Sequence, residues 1–169
     1  MTGEMPAVPG LRVPHDLYWV LEAPSPLAGM AYPRGRPWPA LHTAGFRQVV
    51  CLAASKPDYE PAPLSLSHAT ALEDLHGDRW PRDPAREERL VREAVAAADA
   101  GLAAGQGVVV HCVGGTGRTG AVLGCLLRLR GFASAEVIAY LDALHRARGQ
   151  PGWPESPWQA QLVARFTDQ

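Results

Sequence analysis

Three consecutive valines, Val108-Val109-Val110, constrain this chain more than any other feature. A continuous apolar run this short, lying between helical patterns, reads as a strand buried on both faces, as happens when helices cover both sides of a sheet. On its N-terminal side Asp83 can cap a helix, Pro84 suits the first helical position, and Leu90, Val91, Ala94, Val95, Ala98 and Leu102 form one apolar stripe that Gly105 ends. On its C-terminal side the pattern predicts a helix from Thr119 to Arg130, apolar almost all round and closed by Gly131. Ser134 then caps a helix with Val137, Ile138, Leu141, Leu144 and His145 on one face. Gly149 closes it, and a Trp/Pro loop leads to a short helix near Trp158 to Phe166. Helices alternating with buried strands predict an α/β fold: a mostly parallel central sheet flanked by helices on both sides.

The front half is less regular. Tyr18 to Leu21 suits a first strand, but Pro24 to Pro39 holds five prolines together with Gly29 and Gly35, so regular structure there must be brief. Gln48 to Leu52 is a stronger strand, introduced by a short helix that stops at Gly45, and a third lies within Ala62 to Leu72. Residues 1–15, rich in proline and glycine at their start, are expected as a flexible arm, and residues 16–169 as one domain, which suits a chain of 169 residues.

Composition narrows the function classes. With 47% hydrophobic and 20% charged residues the chain is of soluble globular type, and 16 basic against 17 acidic residues give a net charge of -1. No overall field draws it to nucleic acid or anionic lipid, so neither a nucleic-acid nor a membrane partner is expected and any anion site must be local. The apolar stretch Ala121 to Leu129 carries Arg128 and is far short of the ~20 residues of a membrane span. With no secretory start, a cytoplasmic monomer is the expectation. Cys51, Cys112 and Cys125 are odd in number and widely spaced, which argues against a disulfide framework and a zinc site.

Chemistry concentrates in His111-Cys112-Val113-Gly114-Gly115-Thr116-Gly117-Arg118-Thr119-Gly120, between the buried strand and the buried helix. Glycines in the turn let successive N–H groups point into one concavity, and the helix N-terminus adds its positive end, so the loop is an anion cradle. Cys112 stands at its base, where converging amides, the helix dipole and a nearby guanidinium favour thiolate over thiol and make a nucleophile. Arg118, six positions on, can hold two phosphate oxygens in a fork, and Thr119 can donate its hydroxyl to the sulfur. A nucleotide-binding loop would want glycine where Cys112 stands and lysine where Arg118 stands. A rhodanese-type sulfur-transfer loop would not need Arg118-Thr119-Gly120 to open a helix.

The string H-C-x-x-G-x-G-R-T-G resembles the signature of the cysteine-dependent protein phosphatases, and looks most like that of their small atypical dual-specificity branch. Trp19-Val20 with Leu27 to Pro33 is similar to the N-terminal strand and turn of that branch. The resemblance implies a phosphatase-like fold over residues 16–169 and a phosphomonoester hydrolase, acting through a phosphocysteine on a phosphorylated protein or small phosphomonoester. It calls for neither cofactor nor metal. Cys112 would attack phosphorus, while Arg118 and the loop from Val113 through Gly114, Gly115, Thr116 and Gly117 would bind its oxygens, with His111 and Thr119 in support. Two alternatives stand beside this: an RNA 5'-phosphatase, and a pseudophosphatase that binds phosphotyrosine without turnover.

Ester cleavage also needs a proton for the departing oxygen. Asp74, after an apolar residue at the expected strand end, is preferred as the acid over Asp78, whose spacing to Pro81 gives a second family-like pattern. Gln159 resembles the family glutamine that positions the hydrolytic water, and equally completes a capping box with Ser156. Tyr59 reads as cover for the core edge rather than a stacking surface for phosphotyrosine. Cys51 and Cys125 read as core residues, either of which could trap oxidised Cys112 if close enough.

Overall fold

The computed structural model describes residues 4–166. Its sheet has five strands in the order β1-β2-β5-β3-β4: β1 (Leu17–Leu21), β2 (Leu27–Met30), β3 (Phe46–Cys51), β4 (Ser65–Ala69) and β5 (Gly107–His111). Only the β1–β2 pair is antiparallel, and the other three ladders are parallel. The valine run lies in the central strand, fully buried, with β2 on one side and β3 on the other.

Alternation along the strands divides the interior in two. Leu27, Val50, Val108 and Val110 face a core shared with α2 (Pro84–Ala103), α3 (Gly117–Leu129), α4 (Ser134–Ala147) and α5 (Pro157–Arg165). Ala28, Met30, Val49 and Val109 face the other way, against Trp38 and Leu41 of the short helix α1 (Trp38–Thr43). Helices therefore lie on both faces, four against one. The second face is too large for one six-residue helix to cover.

The N-terminal segment supplies the missing cover. Val8 is buried, Met5, Leu11 and Val13 pack on the same cluster, and the Trp19 indole N–H donates to the Pro6 carbonyl at 2.9 Å. The segment expected as a flexible arm is thus laid against the domain from Glu4 onward, because apolar residues interleave its prolines and an uncovered sheet face awaits them. Met1 to Gly3 lie outside the described residues.

Asp83 caps α2 through the Arg86 N–H, and Gly105 and Gly131 adopt the left-handed turns expected after α2 and α3. Two boundaries differ. Ser134 is the first helical residue of α4 rather than its cap, a place taken by Ala133 without a side-chain bond. Helix α3 begins at Gly117, two residues before the expected start, and Thr116 provides no side-chain cap. Its first amides therefore receive no side-chain cap.

Candidate active site

Strand β5 delivers Cys112, 2% exposed, to the base of a loop that turns straight into α3. The loop's carbonyls are tied down on its outside. Val113 O accepts from Tyr32 N at 2.8 Å, Gly114 O from Arg148 Nη2 at 3.1 Å, and Gly115 O from Arg148 Nη1 at 3.2 Å and from the Tyr18 hydroxyl at 2.5 Å. In a trans peptide the N–H opposes the C=O, so anchoring these three carbonyls outward turns the amides of Gly114, Gly115 and Thr116 inward. Gly115 N–H already points at Cys112 Sγ, 3.3 Å away. Gly115 has φ +78°, and a Cβ there would stand 2.7 Å from the Met30 carbonyl, so only glycine fits.

Arg148, just past α4 and 3% exposed, is the main brace. Among the described residues it has no carboxylate partner. It donates instead to the carbonyls of Pro14, His15, Gly114 and Gly115, to Thr116 Oγ1 and to His145 Nδ1, and its guanidinium lies 4.4 Å from the Tyr18 ring centroid. A buried cation under the cradle adds positive potential where a phosphate would sit.

Because Arg148 can only donate, His145 Nδ1 accepts, and the ring is neutral with its proton on the buried Nε2, which has no hydrogen-bond partner. Burial, with the Arg148 charge adding to it and Asp142 opposing, pulls this imidazole from 6.5 down to about 3. Between those two pH values the unfolded chain binds a proton that the folded one refuses, so stability falls as pH falls through that window. The loss at its acid end is on the order of 5 kcal/mol. Urea unfolding at a series of pH values should show this slope, and His145→Gln should make it shallower, leaving what is due to His111, whose ring burial also holds below the usual range, and to the Asp16, Glu88 and Asp142 carboxylates that arginine partners hold down. An unchanged slope in His145→Gln would remove His145 from the account.

His111 is fully buried, with Nδ1 3.0 Å from Cys112 O and Nε2 2.6 Å from the Tyr59 hydroxyl. A carbonyl only accepts, so Nδ1 carries the proton and Nε2 accepts from Tyr59. Tyr59 thus covers the core edge, packed on His111 and, at 4.9 Å between centroids, on Trp38. Arg118 opens α3, and its Nη1 donates to Leu72 O at 3.3 Å, bringing the loop after β4 over the cradle.

A cysteine at the base of a ring of inward amides, followed six residues on by a guanidinium, is the arrangement in which a matching family model has its meaning. The model described as "Swiss Army Knife protein, DSP-PTPase phosphatase domain" matches residues 14–151. The chain belongs to the DSP-PTPase phosphatases. It is a cysteine-dependent protein phosphatase of dual-specificity type. Solved structures share the fold at low identity. Tk-PTP in its active form has a TM-score of 0.65 at 19% identity, covering 92% of this chain and 97% of that one. The human tyrosine phosphatase-like serine/threonine/tyrosine-interacting protein has 0.63 at 17%, covering 88% and 94%. The core catalytic domain of the PP-IP phosphatase SIW14 from S. cerevisiae has 0.57 at 16%, covering 85% and 82%.

The other residues read from the sequence divide in this phosphatase. Leu72 O meets Arg118, and Asp74 follows it two residues on. It is half exposed and 3.8 Å from His76 Nε2. Asp78 is exposed, with φ +63°, and its N–H donates to Glu155 O at 3.3 Å, which ties it to the loop before α5. Gln159 spends its side-chain oxygen on the N–H groups of Glu155 and Ser156, at 2.9 and 3.3 Å, as the capping box requires. Its Nε2 and the Glu155 carboxylate lie against Gly117. Thr119 is buried and its hydroxyl has no hydrogen-bond partner, so the expected bond to the sulfur is not formed. Cys51 pairs in register with His111, one residue out of phase with Cys112 and so on the opposite face of the sheet. Cys125 lies in α3, two turns beyond Gly117, where burial pushes its thiol up. Cys51 is thus turned away from Cys112, whereas Cys125 shares the Cys112 core cluster.

Sequence reasoning passed over Arg148, Tyr18 and Glu155. A cleft of about 500 Å³ opens beside the loop at Thr116, walled by His76, Arg146, Trp153 and Glu155. Trp153 is held there by its backbone bond to Asp142 and by its indole N–H on Gly117 O, at 3.1 and 3.2 Å.

Proposed function

We propose that this phosphatase hydrolyses phosphomonoesters in two steps through a phosphocysteine. Cys112 Sγ bonds to phosphorus as the ester P–O bond breaks, and Asp74 gives its proton to the departing oxygen. Water then attacks phosphorus while the Asp74 carboxylate takes a water proton, the S–P bond breaks, and thiolate and inorganic phosphate are left. Arg118 and the inward amides carry the charge on the equatorial oxygens throughout. The observation that carries the reading is the cradle itself: outward carbonyls, inward amides, and Cys112 at the base.

The substrate is a phosphorylated protein side chain or a small ester of low charge. Val113, 59% exposed at the rim, offers an apolar surface, and Thr116 adds no charge to the loop, so the reacting phosphate takes most of the available cation. SIW14 is a PP-IP phosphatase, which keeps small phosphoesters within the class. Three substrates compared side by side test this: a phosphotyrosine peptide, an inositol polyphosphate and an RNA 5'-phosphate. The expected order of kcat/KM has the peptide first. A higher value for the RNA end would favour the nucleic-acid reading, and no turnover of any of them would favour a binding protein. Turnover that survives chelator is expected from a mechanism with no metal step.

A further inference from the structure

Glu87 is the one acidic residue among the described ones that is buried, 5% exposed, and the mechanism above makes no use of it. It stands in the first turn of α2, and its Oε2 accepts the Glu73 N–H at 2.8 Å. The peptide unit that supplies this N–H is the one whose carbonyl belongs to Leu72, and that carbonyl accepts from Arg118 Nη1 at 3.3 Å. One peptide plane is therefore clasped from both ends, its oxygen by the guanidinium that would grip the phosphate and its N–H by a buried carboxylate. The next residue along the chain is Asp74.

We propose that Glu87 is a positioning residue which, through the Leu72–Glu73 peptide, sets Arg118 and Asp74 relative to each other. The two contacts, both partly buried, polarise that peptide in the same sense, each strengthening the other. The segment has little other freedom. Leu72 is buried in the core beneath it, and the Glu73 carboxylate accepts from the Arg82 N–H at 3.2 Å, closing the loop on itself. Burial pushes the Glu87 carboxyl up. The Glu73 N–H holds it down, the Glu73 charge raises it again, and Arg86 and Arg118 draw it back toward the ionised form. An acid set a small distance off its place loses the proton transfer while the phosphate site still fills.

The test is leaving-group dependence, since this inference rests on the reading of Asp74 as the acid. Glu87→Ala should lower kcat for phenyl phosphate by about tenfold or more and change kcat for an ester with an activated leaving group, which needs no proton, by less than about threefold. Glu87→Gln keeps an acceptor for the Glu73 N–H and should recover most of the loss. A folded Glu87→Ala that loses both esters equally, or neither, overturns the proposal and leaves Glu87 a structural carboxylate. If Glu87→Ala does not fold, Glu87→Asp, which withdraws the oxygen by one methylene, decides by the same comparison. Asp74→Asn is run in parallel: no selective loss there overturns the acid assignment and this inference with it, whereas selective loss there with uniform loss in Glu87→Ala overturns this inference alone.

Discussion

Cys112→Ser leaves the cradle standing and the chemistry gone: turnover of p-nitrophenyl phosphate should fall by at least about 10⁴-fold, with inorganic phosphate still bound within about tenfold of its wild-type Kd. The two halves of this expectation come from different atoms. On the proposed mechanism phosphate would be held by the Gly114, Gly115 and Thr116 amides and by Arg118, and the orientation of those amides depends on Arg148, Tyr18 and Tyr32 gripping the carbonyls behind them. The carbonyl braces do not involve the sulfur, whose one cradle contact is with the Gly115 N–H at 3.3 Å. Nucleophilic attack needs an ionised atom at the base of the cradle, and a serine hydroxyl in the same surroundings keeps its proton. His111 cannot remove it, because its Nδ1 proton is committed to the Cys112 carbonyl and its Nε2 to Tyr59. Steady-state kinetics and phosphate titration by calorimetry measure both halves. Residual turnover within tenfold of wild type would refute the covalent route, and lost phosphate binding would mean that the sulfur holds the loop together.

What the sequence made legible follows from the range of each interaction. The valine run, the α2 stripe and the glycine-rich loop are local patterns, and each element was found within two residues of its predicted place. Gly117 and Arg118 belong to α3 although the pattern put them in the loop, since an uncapped helix start looks like loop until its amides have a purpose. Residues 4–15 read as an arm from their prolines and glycines. Their role depends on how much of the second sheet face α1 leaves open, which is a property of the assembled fold. Arg146 and Arg148 stand two residues apart at the end of α4. Only tertiary facing separates them, the first pairing with Asp142 near solvent and the second turned under the phosphate loop. Glu87 was equally hidden, an acidic residue in a helical first turn where the dipole alone would explain it.

The choice between two aspartates depends on geometry of the same long-range kind. Asp74→Asn should cut kcat for phenyl phosphate, a poor leaving group, by about 10²- to 10⁴-fold, and matter far less for an activated ester whose oxygen departs without a proton. Asp78→Asn should have small and similar effects on both. Asp74 follows the peptide that Arg118 and Glu87 clasp, so its carboxyl is carried on backbone fixed to the phosphate-binding group. Asp78 lies in the Gly77-Asp78 turn, both residues at positive φ, and its backbone is bonded to Glu155 on the other wall. An asparagine tolerates that backbone as well as an aspartate does, so Asp78→Asn is a clean test of the carboxylate alone. Rates for a series of phenols of rising pKa give the measurement. A steeper dependence in Asp74→Asn assigns the acid there, and the same steepening in Asp78→Asn alone would move it to the Glu155 side, where the proton would enter across the cleft at Thr116 and Trp153 rather than from beside Arg118.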